Sequence, residues 1–225
     1  MPCKNEGVCE LDSTTNLNYK CICKNKFYGK NCEYSFLDST IFLNSTILTN
    51  ELSKSLINLT GLSSSNWNLV YQSSRHGFSS FDFHEKANDV LNTLTLIKTR
   101  LGAVFGGYTT QDWSGNGYKQ DKNALVFSLV NGYNKPVLLN VSSNAQDKFY
   151  SILANPNNGP TFGQQFGGNV FTTSDSYQIM SGNSFLNCQY QPIGIFNYIC
   201  PSSFLTKNTN FDIYEIEVYS INRNF

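Results

Sequence analysis

Two histidines are the residues of this chain whose type most readily suggests catalysis. His84 is flanked by Asp82 and Glu85, an arrangement that could form an acid–base pair, and His76 lies shortly before it. A histidine in a core or at a helix start is the simpler interpretation, so His84 is only the best candidate residue for an acid–base enzyme. Two histidines without a nearby cluster of cysteine and acidic ligands do not predict a catalytic zinc site.

Other catalytic and cofactor motifs are not found in the sequence. It contains no GxSxG, no P-loop and no dinucleotide fingerprint, and the Gly106-Gly107 pair lies in a predicted strand without the helix that such a fingerprint needs. We therefore predict a non-enzymatic protein with no catalytic residue, no cofactor and no metal ion.

A pair of carboxylates near the end of the chain could in principle hydrolyse a glycoside. Glu215 and Glu217 alternate with Tyr214, Ile216 and Val218, as in a strand with one solvated face. The alternation predicts that the two glutamates face water.

Seven cysteines are unevenly distributed, and their pattern is typical of disulfides. The first segment contains Cys3, Cys9, Cys21, Cys23 and Cys32. That segment has few apolar residues, so it cannot bury enough surface to fold without cross-links. Zinc is the competing interpretation, but residues 21–23 form a CxC pair, whereas structural zinc sites usually offer CxxC pairs. Cys188 and Cys200 predict a further disulfide that closes the loop between them.

Three N-glycosylation sequons accompany the cysteines, at Asn44, Asn58 and Asn140. Disulfides together with sequons indicate a secreted protein, so we predict an extracellular or cell-surface location and covalent N-glycans. The sequence starts abruptly at Met1-Pro2 without a signal peptide, and we expect it to be a fragment of a longer polypeptide.

The composition argues against several classes of protein. Among 225 residues, 16 Lys and Arg balance 16 Asp and Glu, so no long-range field attracts nucleic acid or an anionic membrane. Hydrophobic residues make up 40 %, too many for a disordered polyelectrolyte, and the longest apolar runs, such as residues 124–127, are too short to span a bilayer. We predict no nucleic-acid partner and no membrane span in this segment.

The N-terminal cysteine spacing resembles an EGF-like module. The matching stretches are residues 3–9 (CKNEGVC), 19–23 (YKCIC) and 27–32 (FYGKNC). In that family six cysteines pair first to third, second to fourth and fifth to sixth, and the first is missing here. The resemblance implies the disulfides Cys3–Cys21 and Cys23–Cys32, and it leaves Cys9 unpaired or bonded to another chain. We expect this truncated module to occupy residues 1–34.

Residues 35–225 have the periodicity of a core-forming domain. Apolar residues at three- and four-residue steps from Ile47 to Leu59, with Thr49 or Ser45 as N-cap, predict one helix, and Ser80–Leu91 predicts a second. Strands are predicted over residues 67–71, 93–97, 102–108, 124–130, 137–141 and 214–218. Many short strands with two helices favour a mostly β fold with minor α, a two-sheet antiparallel β-sandwich with flanking helices.

Several blocks of this larger domain resemble the TLDc domain family. They follow in order within residues 46–221, as 67–79 (WNLVYQSSRHGFS), 83–84 (FH), 93–98 (TLTLIK), 102–109 (GAVFGGYT), 113 (W), 124–129 (ALVFSL), 159–163 (GPTFG) and 211–218 (FDIYEIEV). The resemblance implies a two-sheet β-sandwich with flanking helices. TLDc proteins are best known inside cells, where they are linked to resistance to oxidative damage and to regulation of the vacuolar proton pump. Because this chain has an EGF-like neighbour and sequons, we do not carry the pump-binding role over.

The resulting functional hypothesis is an extracellular module that acts by protein–protein contacts, as a subunit or repeat of a secreted, glycosylated surface coat, adhesin or filament. Because the net charge is zero, little like-charge repulsion opposes the packing of copies. Aromatic anchors dominate interface energetics, so copies of the same chain are candidate partners. The candidate contact aromatics are Trp113, Tyr118, Phe196 and Tyr198. Two alternatives stay open: a carbohydrate- or ligand-binding sandwich using Trp113, Tyr108 and Tyr118, and an oxidation-resistance type of TLDc protein.

Overall fold

A computed structural model of the chain describes most of its residues and places them in two parts. The described residues are 2–11, 19–24, 27–35, 41–42, 44–62, 67–132, 134–141, 147–164, 168–174, 181–183, 190–192, 205 and 210–221. In the N-terminal part, β1 (Val8–Leu11) pairs with β2 (Tyr19–Ile22), and β3 (Phe27–Tyr28) pairs with β4 (Tyr34–Ser35). The division of the chain at residues 34 and 35 stays a prediction.

The larger part is built mainly from strands. Its helices are α1 (Asn50–Thr60), α2 (Ser73–His76) and α3 (Ser80–Ala87), and Asp147–Tyr150 forms a 3-10 turn. Its strands are β5 (Trp67–Gln72), β6 (Thr93–Thr99), β7 (Val104–Thr109), β8 (Gly117–Lys119), β9 (Leu125–Val130), β10 (Val137–Val141), β11 (Ile152–Ala154), β12 (Asn158–Gln164), β13 (Gly168–Ser174), β14 (Ser181–Asn183), β15 (Tyr190–Pro192) and β16 (Asn210–Ile221).

The strands form two antiparallel sheets that share β16. Sheet one has the order β15-β10-β9-β7-β6-β16, with β5 also paired to β16, and sheet two has the order β16-β14-β13-β12-β11-β8. The first residues of β16 pair with β14, and its last residues pair with β5. The two sheets therefore diverge along one long strand, and the predicted mostly β sandwich with few helices is confirmed.

Sheet one is covered on both faces, because its apolar side chains alternate between two cores. The inner core, between the sheets, includes Ile97, Phe105 and Val126 of sheet one and Ile152 and Phe162 of sheet two. The outer core lies under α1 and includes Leu56, Ile57, Leu94, Leu96, Phe127 and Tyr219. Strands buried on both faces explain why several of them are nearly continuous apolar runs in the sequence.

The helix predicted around residues 47–59 is confirmed as α1. The Thr49 hydroxyl accepts a hydrogen bond from the Leu52 N–H at 3.3 Å, which is the N-cap interaction that the sequence indicated. The helix ends at Gly61, whose left-handed backbone (φ 69°) lets its N–H donate to the Ile57 carbonyl.

The second predicted helix is shorter than its sequence pattern suggested. A capping box between Ser79 and Asp82 starts α3, as the side chain of each accepts from the backbone of the other. The helix stops at Ala87 because Asn88 is extended and Asp89 adopts a left-handed backbone (φ 61°). None of the helices in the described part of the chain is long and apolar enough to cross a membrane.

Because of a bulge in β16, Tyr214 does not point to the side of the strand that the sequence predicted. The pairing with β6 shifts register between Ile213 and Glu215, so Ile213 and Ile216 both point into the inner core. Tyr214 therefore lies exposed at the bulge, beneath the Lys98 ammonium, and its predicted place beside Ile216 and Val218 is wrong.

Two glycines of β7 let neighbouring layers pack closely, and one of them gives a test of the fold. A Cβ at Gly106 would collide with the backbone carbonyl of Thr95 and would lie 2.9 Å from the Phe127 ring. Gly106→Ala should lower the free energy of unfolding by about 1–3 kcal/mol, because a backbone carbonyl in the adjacent strand cannot move aside. Urea denaturation provides the measurement.

Gly117 of β8 is the matched control, because a Cβ there meets nothing within 4 Å. Gly117→Ala should leave stability unchanged or raise it by up to about 1 kcal/mol, through the lower chain entropy of the unfolded state. Equal effects of the two substitutions would contradict the close packing described for β7.

Candidate functional site

Glu215 and Glu217 form a buried pair of carboxylates on β16. Their exposed fractions are 3 % and 0 %, so the prediction that they face water is wrong. Both side chains point to the same face of β16 as Tyr219, where the chain segment before α1 covers them. We call these two glutamates, with Ser45, Thr46 and Ser73, the carboxylate cluster.

The Glu217 carboxylate is held by donors from three places in the chain. It accepts hydrogen bonds from the Ser45 hydroxyl at 2.6 Å and from the Thr46 N–H and hydroxyl at 2.6 and 2.9 Å. The Tyr219 hydroxyl donates to it at 3.0 Å, and the Gln72 amide at 3.4 Å. Burial, and after it the negative charge of Glu217, raises the pKa of the Tyr219 hydroxyl above its ordinary value, so Tyr219 acts as a donor.

Glu215 is held by the start of α2. Its carboxylate accepts from the Ser73 hydroxyl at 2.5 Å and from the Ser74 N–H at 3.0 Å. The Ser73 oxygen in turn accepts from the Ile216 N–H at 2.9 Å. Thr46 connects the two glutamates, since its hydroxyl lies 2.9 Å from Glu217 and 3.5 Å from Glu215.

The carboxylate cluster is suited to holding the fold rather than to acid–base chemistry. Within the described part of the chain, neither glutamate has a lysine, arginine or histidine at ion-pair distance, so neutral donors alone stabilise both groups. These donors tie the segment before α1, the start of α2 and β16 together.

His84 has a similar structural role. It is almost completely buried, and its Nε2 lies 2.9 Å from the Asn155 carbonyl and 3.0 Å from the Asn158 carbonyl. Carbonyl oxygens can only accept, so Nε2 carries a hydrogen and holds α3 against the loop before β12. The flanking acids do not form the pair considered above, because Asp82 caps α3 and Glu85 is exposed.

Trp113, predicted as a contact aromatic, and Tyr108, named only for the carbohydrate-binding alternative, are both buried, so these two predictions are wrong. Trp113 has no exposed surface and lies in the inner core, where its Nε1 donates to the Thr93 hydroxyl at 3.0 Å and its ring meets those of Phe83 and Phe162 edge-on. Tyr108 lies in the outer core. A carbohydrate cannot stack on rings that are inside the domain.

Tyr118 is the predicted contact aromatic that the structure leaves accessible. It is 37 % exposed in β8, and its ring meets the Tyr150 ring edge-on at 4.9 Å. Phe149, which precedes Tyr150, is 57 % exposed. We call these three side chains, beside the last strand of sheet two, the aromatic edge. The two other predicted aromatics, Phe196 and Tyr198, lie outside the described residues.

An ion pair joins Asp112, the residue before Trp113, to Lys119 at the end of β8. The Asp112 carboxylate accepts from the Lys119 ammonium at 2.7 Å and from the Ser114 N–H at 2.8 Å, and it also bonds the Ser114 hydroxyl. Burial acts to raise the pKa of the Asp112 carboxyl, but the hydrogen bonds from Lys119 and Ser114 outweigh it and lower the pKa to about 2.

The N-terminal cysteines form disulfides in the structure, as predicted. The structure joins Cys23 to Cys32, and it joins Cys3 to Cys21, the two pairings implied by the EGF-like resemblance. The Cys9 sulfur also lies next to the Cys3 sulfur, but Cys3 can form only one disulfide, so the prediction that Cys9 is unpaired or bonded to another chain stays a prediction. The predicted pair of Cys188 and Cys200 lies outside the described residues.

Two of the three sequon asparagines have described side chains, and both are at the surface. Asn44 is exposed, and Asn58 is exposed on α1, where its side-chain oxygen accepts from the Gly29 N–H at 3.4 Å. A glycan attaches through the amide nitrogen, so that contact does not compete with it. Asn140 lies in β10, and its side chain is outside the described part. Glycosylation of the three residues stays a prediction.

The comparison with known families agrees with this architecture. The description "TLDc domain" matches residues 41–222. The chain belongs to the TLDc domain family. TLDc domains are of a protein-interaction or oxidation-resistance type and are not generally known as enzymes. The match does not include residues 1–40, so the EGF-like resemblance of that part stays a prediction, and a search of curated proteins found no match.

The buried charge of Glu217 predicts a large effect for a small substitution. Glu217→Gln keeps the shape but turns an NH₂ group towards donors such as Ser45 or Thr46, which leaves buried polar groups unpaired. We expect the free energy of unfolding to fall by about 2 kcal/mol or more in chemical denaturation. Glu85→Gln is the control, because Glu85 is exposed on α3, and it should change stability by less than about 0.5 kcal/mol. Equal stabilities for the two variants would contradict the role of the carboxylate cluster.

The ion pair at Asp112 predicts a pH dependence of stability. Its pKa is about 2 in the folded chain against an ordinary 3.8, so its contribution is fully present above about pH 4 and is lost as the pH falls through 2. The stability difference between the unchanged chain and Asp112→Asn should therefore be constant above pH 5 or so and shrink towards about pH 2. Urea unfolding of both proteins across this range measures it. A difference that does not vary with pH would show that Asp112 does not bind Lys119 as a charge.

Proposed function

We propose that this chain acts outside the cytosol as a non-enzymatic protein-interaction module, a subunit or repeat of a secreted and glycosylated surface coat, adhesin or filament. The TLDc domain makes the contacts, and the N-terminal disulfide segment positions it next to its neighbours. Copies of the same chain are the proposed partner.

The observation that carries the proposal is how the N-terminal segment is held together. Among those of its residues whose burial is described, Cys32 alone is fully buried, so the segment has almost no hydrophobic core. Its ribbons are instead joined by bonds between cysteine sulfurs. Such bonds persist in oxidising compartments and are reduced in the cytosol, which supports an extracellular place of work.

The uses of the candidate acid–base groups support a non-enzymatic role. His84 binds two backbone carbonyls, and Glu215 and Glu217 bind donors that hold the segment before α1 and the start of α2. The hydrogen bonds of each group are made to other parts of the fold, so none of the three is positioned to act on a substrate. The same argument means that none of these three side chains provides a catalytic group for the oxidation-resistance alternative.

The aromatic edge is the proposed contact surface between copies. Phe149 and Tyr118 are exposed beside β8, which ends sheet two, and a strand at the end of a sheet can pair with a strand of another copy. Exposed aromatic side chains next to such a strand can supply the apolar anchors that interfaces need. With 16 charges of each sign, little repulsion opposes the approach of a second copy.

The experiment is to express the chain behind an added signal peptide in a eukaryotic cell and to study the protein from the medium. We expect N-glycan mass on it, and self-association in sedimentation velocity that increases with concentration. Phe149→Ser should weaken the association at least tenfold, because it removes an exposed anchor from the aromatic edge.

Phe81→Ser is the matched control, since Phe81 is more exposed than Phe149 but lies on α3. It should leave the association unchanged. A glycosylated chain that stays monomeric at all concentrations would overturn self-association, and a chain that cannot be secreted in a folded form would overturn the extracellular role.

A further inference from the structure

We propose that Asn116 is a site of spontaneous covalent modification, at which its side-chain amide closes on the Gly117 nitrogen to a succinimide that opens to aspartate or isoaspartate. The sequence contains three Asn-Gly pairs, at residues 116–117, 131–132 and 158–159. Ring closure is easiest before glycine, because a residue without a side chain leaves its backbone nitrogen unhindered. The structure favours this reaction at the first pair and protects the other two.

The surroundings of Asn116 leave room for the ring to close. Asn116 is exposed, and it lies just outside the strand ladder because β8 begins at Gly117. A Cβ on Gly115 or on Gly117 would meet nothing within 4 Å, so the backbone has free space on both sides of Asn116. Among the described residues, no hydrogen bond holds the Asn116 side chain. Its amide can therefore rotate until the Cγ atom faces the Gly117 nitrogen.

The other two Asn-Gly pairs are held in place by the fold. Asn131 is buried, and its side-chain nitrogen donates to the Ser128 hydroxyl at 3.0 Å and to the Lys135 carbonyl at 2.8 Å. Asn158 and Gly159 are both buried at the start of β12. Ring closure at either pair first requires a local opening of the structure, which costs free energy.

The reaction is balanced with water as its single co-reactant. The Gly117 nitrogen loses its proton to solvent and forms a bond to the Asn116 Cγ. The bond between Cγ and Nδ2 breaks, and the leaving nitrogen takes up a proton and departs as ammonia. Water then adds to one of the two ring carbonyls next to the Gly117 nitrogen and breaks its bond to that nitrogen. Opening at Cγ breaks the newly formed bond and gives aspartate, whereas opening at the Asn116 backbone carbonyl gives isoaspartate. Nothing is oxidised or reduced.

The modification changes the charge beside the aromatic edge. Both products carry a carboxylate two residues before Tyr118, in a chain whose formal net charge is otherwise zero. Isoaspartate also adds a carbon to the backbone directly before the pairing of Gly117 with Ala154. Copies that meet at the aromatic edge would then carry like charges there, so we expect weaker association. This consequence, unlike the modification itself, rests on the proposed function.

The test is to incubate the folded chain at mildly alkaline pH, which promotes loss of the amide proton, and to map its peptides after digestion at acidic pH. We expect Asn116 to convert to both products at least about tenfold faster than Asn131 and Asn158, because these two react only after local opening. In urea the three rates should become similar. Equal rates in the folded chain, or an Asn116 that converts only in urea, would overturn the proposal.

Gly117→Ala tests the ring closure directly. The added Cβ has open space, so the chain should stay folded, while the methyl group hinders attack by the nitrogen and should slow the conversion of Asn116 several-fold. An unchanged rate would show that the amide is lost without a succinimide, and would overturn the mechanism.

Sedimentation velocity of the unmodified chain, the aged chain and Asn116→Asp tests the consequence for association. Both acidic forms should associate more weakly than the unmodified chain, and added salt should reduce the difference. Equal association of all three would overturn the consequence. If Asn116 converts but the unmodified chain is monomeric, the proposed function fails and the modification stands. If the chain associates but Asn116 stays intact, the modification alone fails.

Discussion

The fold depends on the burial of the Glu217 carboxylate, because a charged group without solvent must find donors or be neutralised. No cation is supplied within the described part of the chain, so hydroxyls, an amide and a backbone N–H must come to it. These donors come from the segment before α1, from the end of β5 and from β16 itself. Satisfying one carboxylate therefore fixes the position of three separate pieces of chain. Glu215 also needs hydrogen-bond donors, and it accepts one hydrogen bond from the backbone of α2.

β16 can place these glutamates because it belongs to both sheets. Its apolar residues Phe211, Ile213, Ile216 and Val218 enter the inner core, while Glu215, Glu217 and Tyr219 point to the opposite face. The bulge lies after Ile213, where β16 passes from pairing with β14 to pairing with β5. It keeps the apolar residues on the inner face and Glu215, Glu217 and Tyr219 on the opposite face. On the neighbouring β7, the lack of a side chain at Gly107 leaves room for the Phe162 ring of sheet two. Close contact between the sheets and a polar outer face thus depend on the same strands.

Sequence periodicity predicted the elements well but not the environment of their polar faces. The N-cap at Thr49, both longer helices and the strands around residues 93–99 and 125–130 follow from local patterns, since caps and alternation are properties of a few adjacent residues. Alternation also showed that Glu215 and Glu217 share a face. It could not show that residues 45–46, distant in sequence, cover that face. Trp113 was misjudged for the same reason, because its hydrogen bond to Thr93 and its ring contacts come from other elements.

The two parts of the chain are stabilised by different interactions, so they respond differently to a reducing agent. The TLDc domain has two apolar cores and a buried polar cluster, and nothing in those described contacts depends on a sulfur–sulfur bond. The N-terminal ribbons have the opposite arrangement, with exposed strands held by cysteines. A reducing agent therefore acts on the ribbons and leaves the described sandwich contacts intact. The described contacts of the two parts thus respond to different solution conditions.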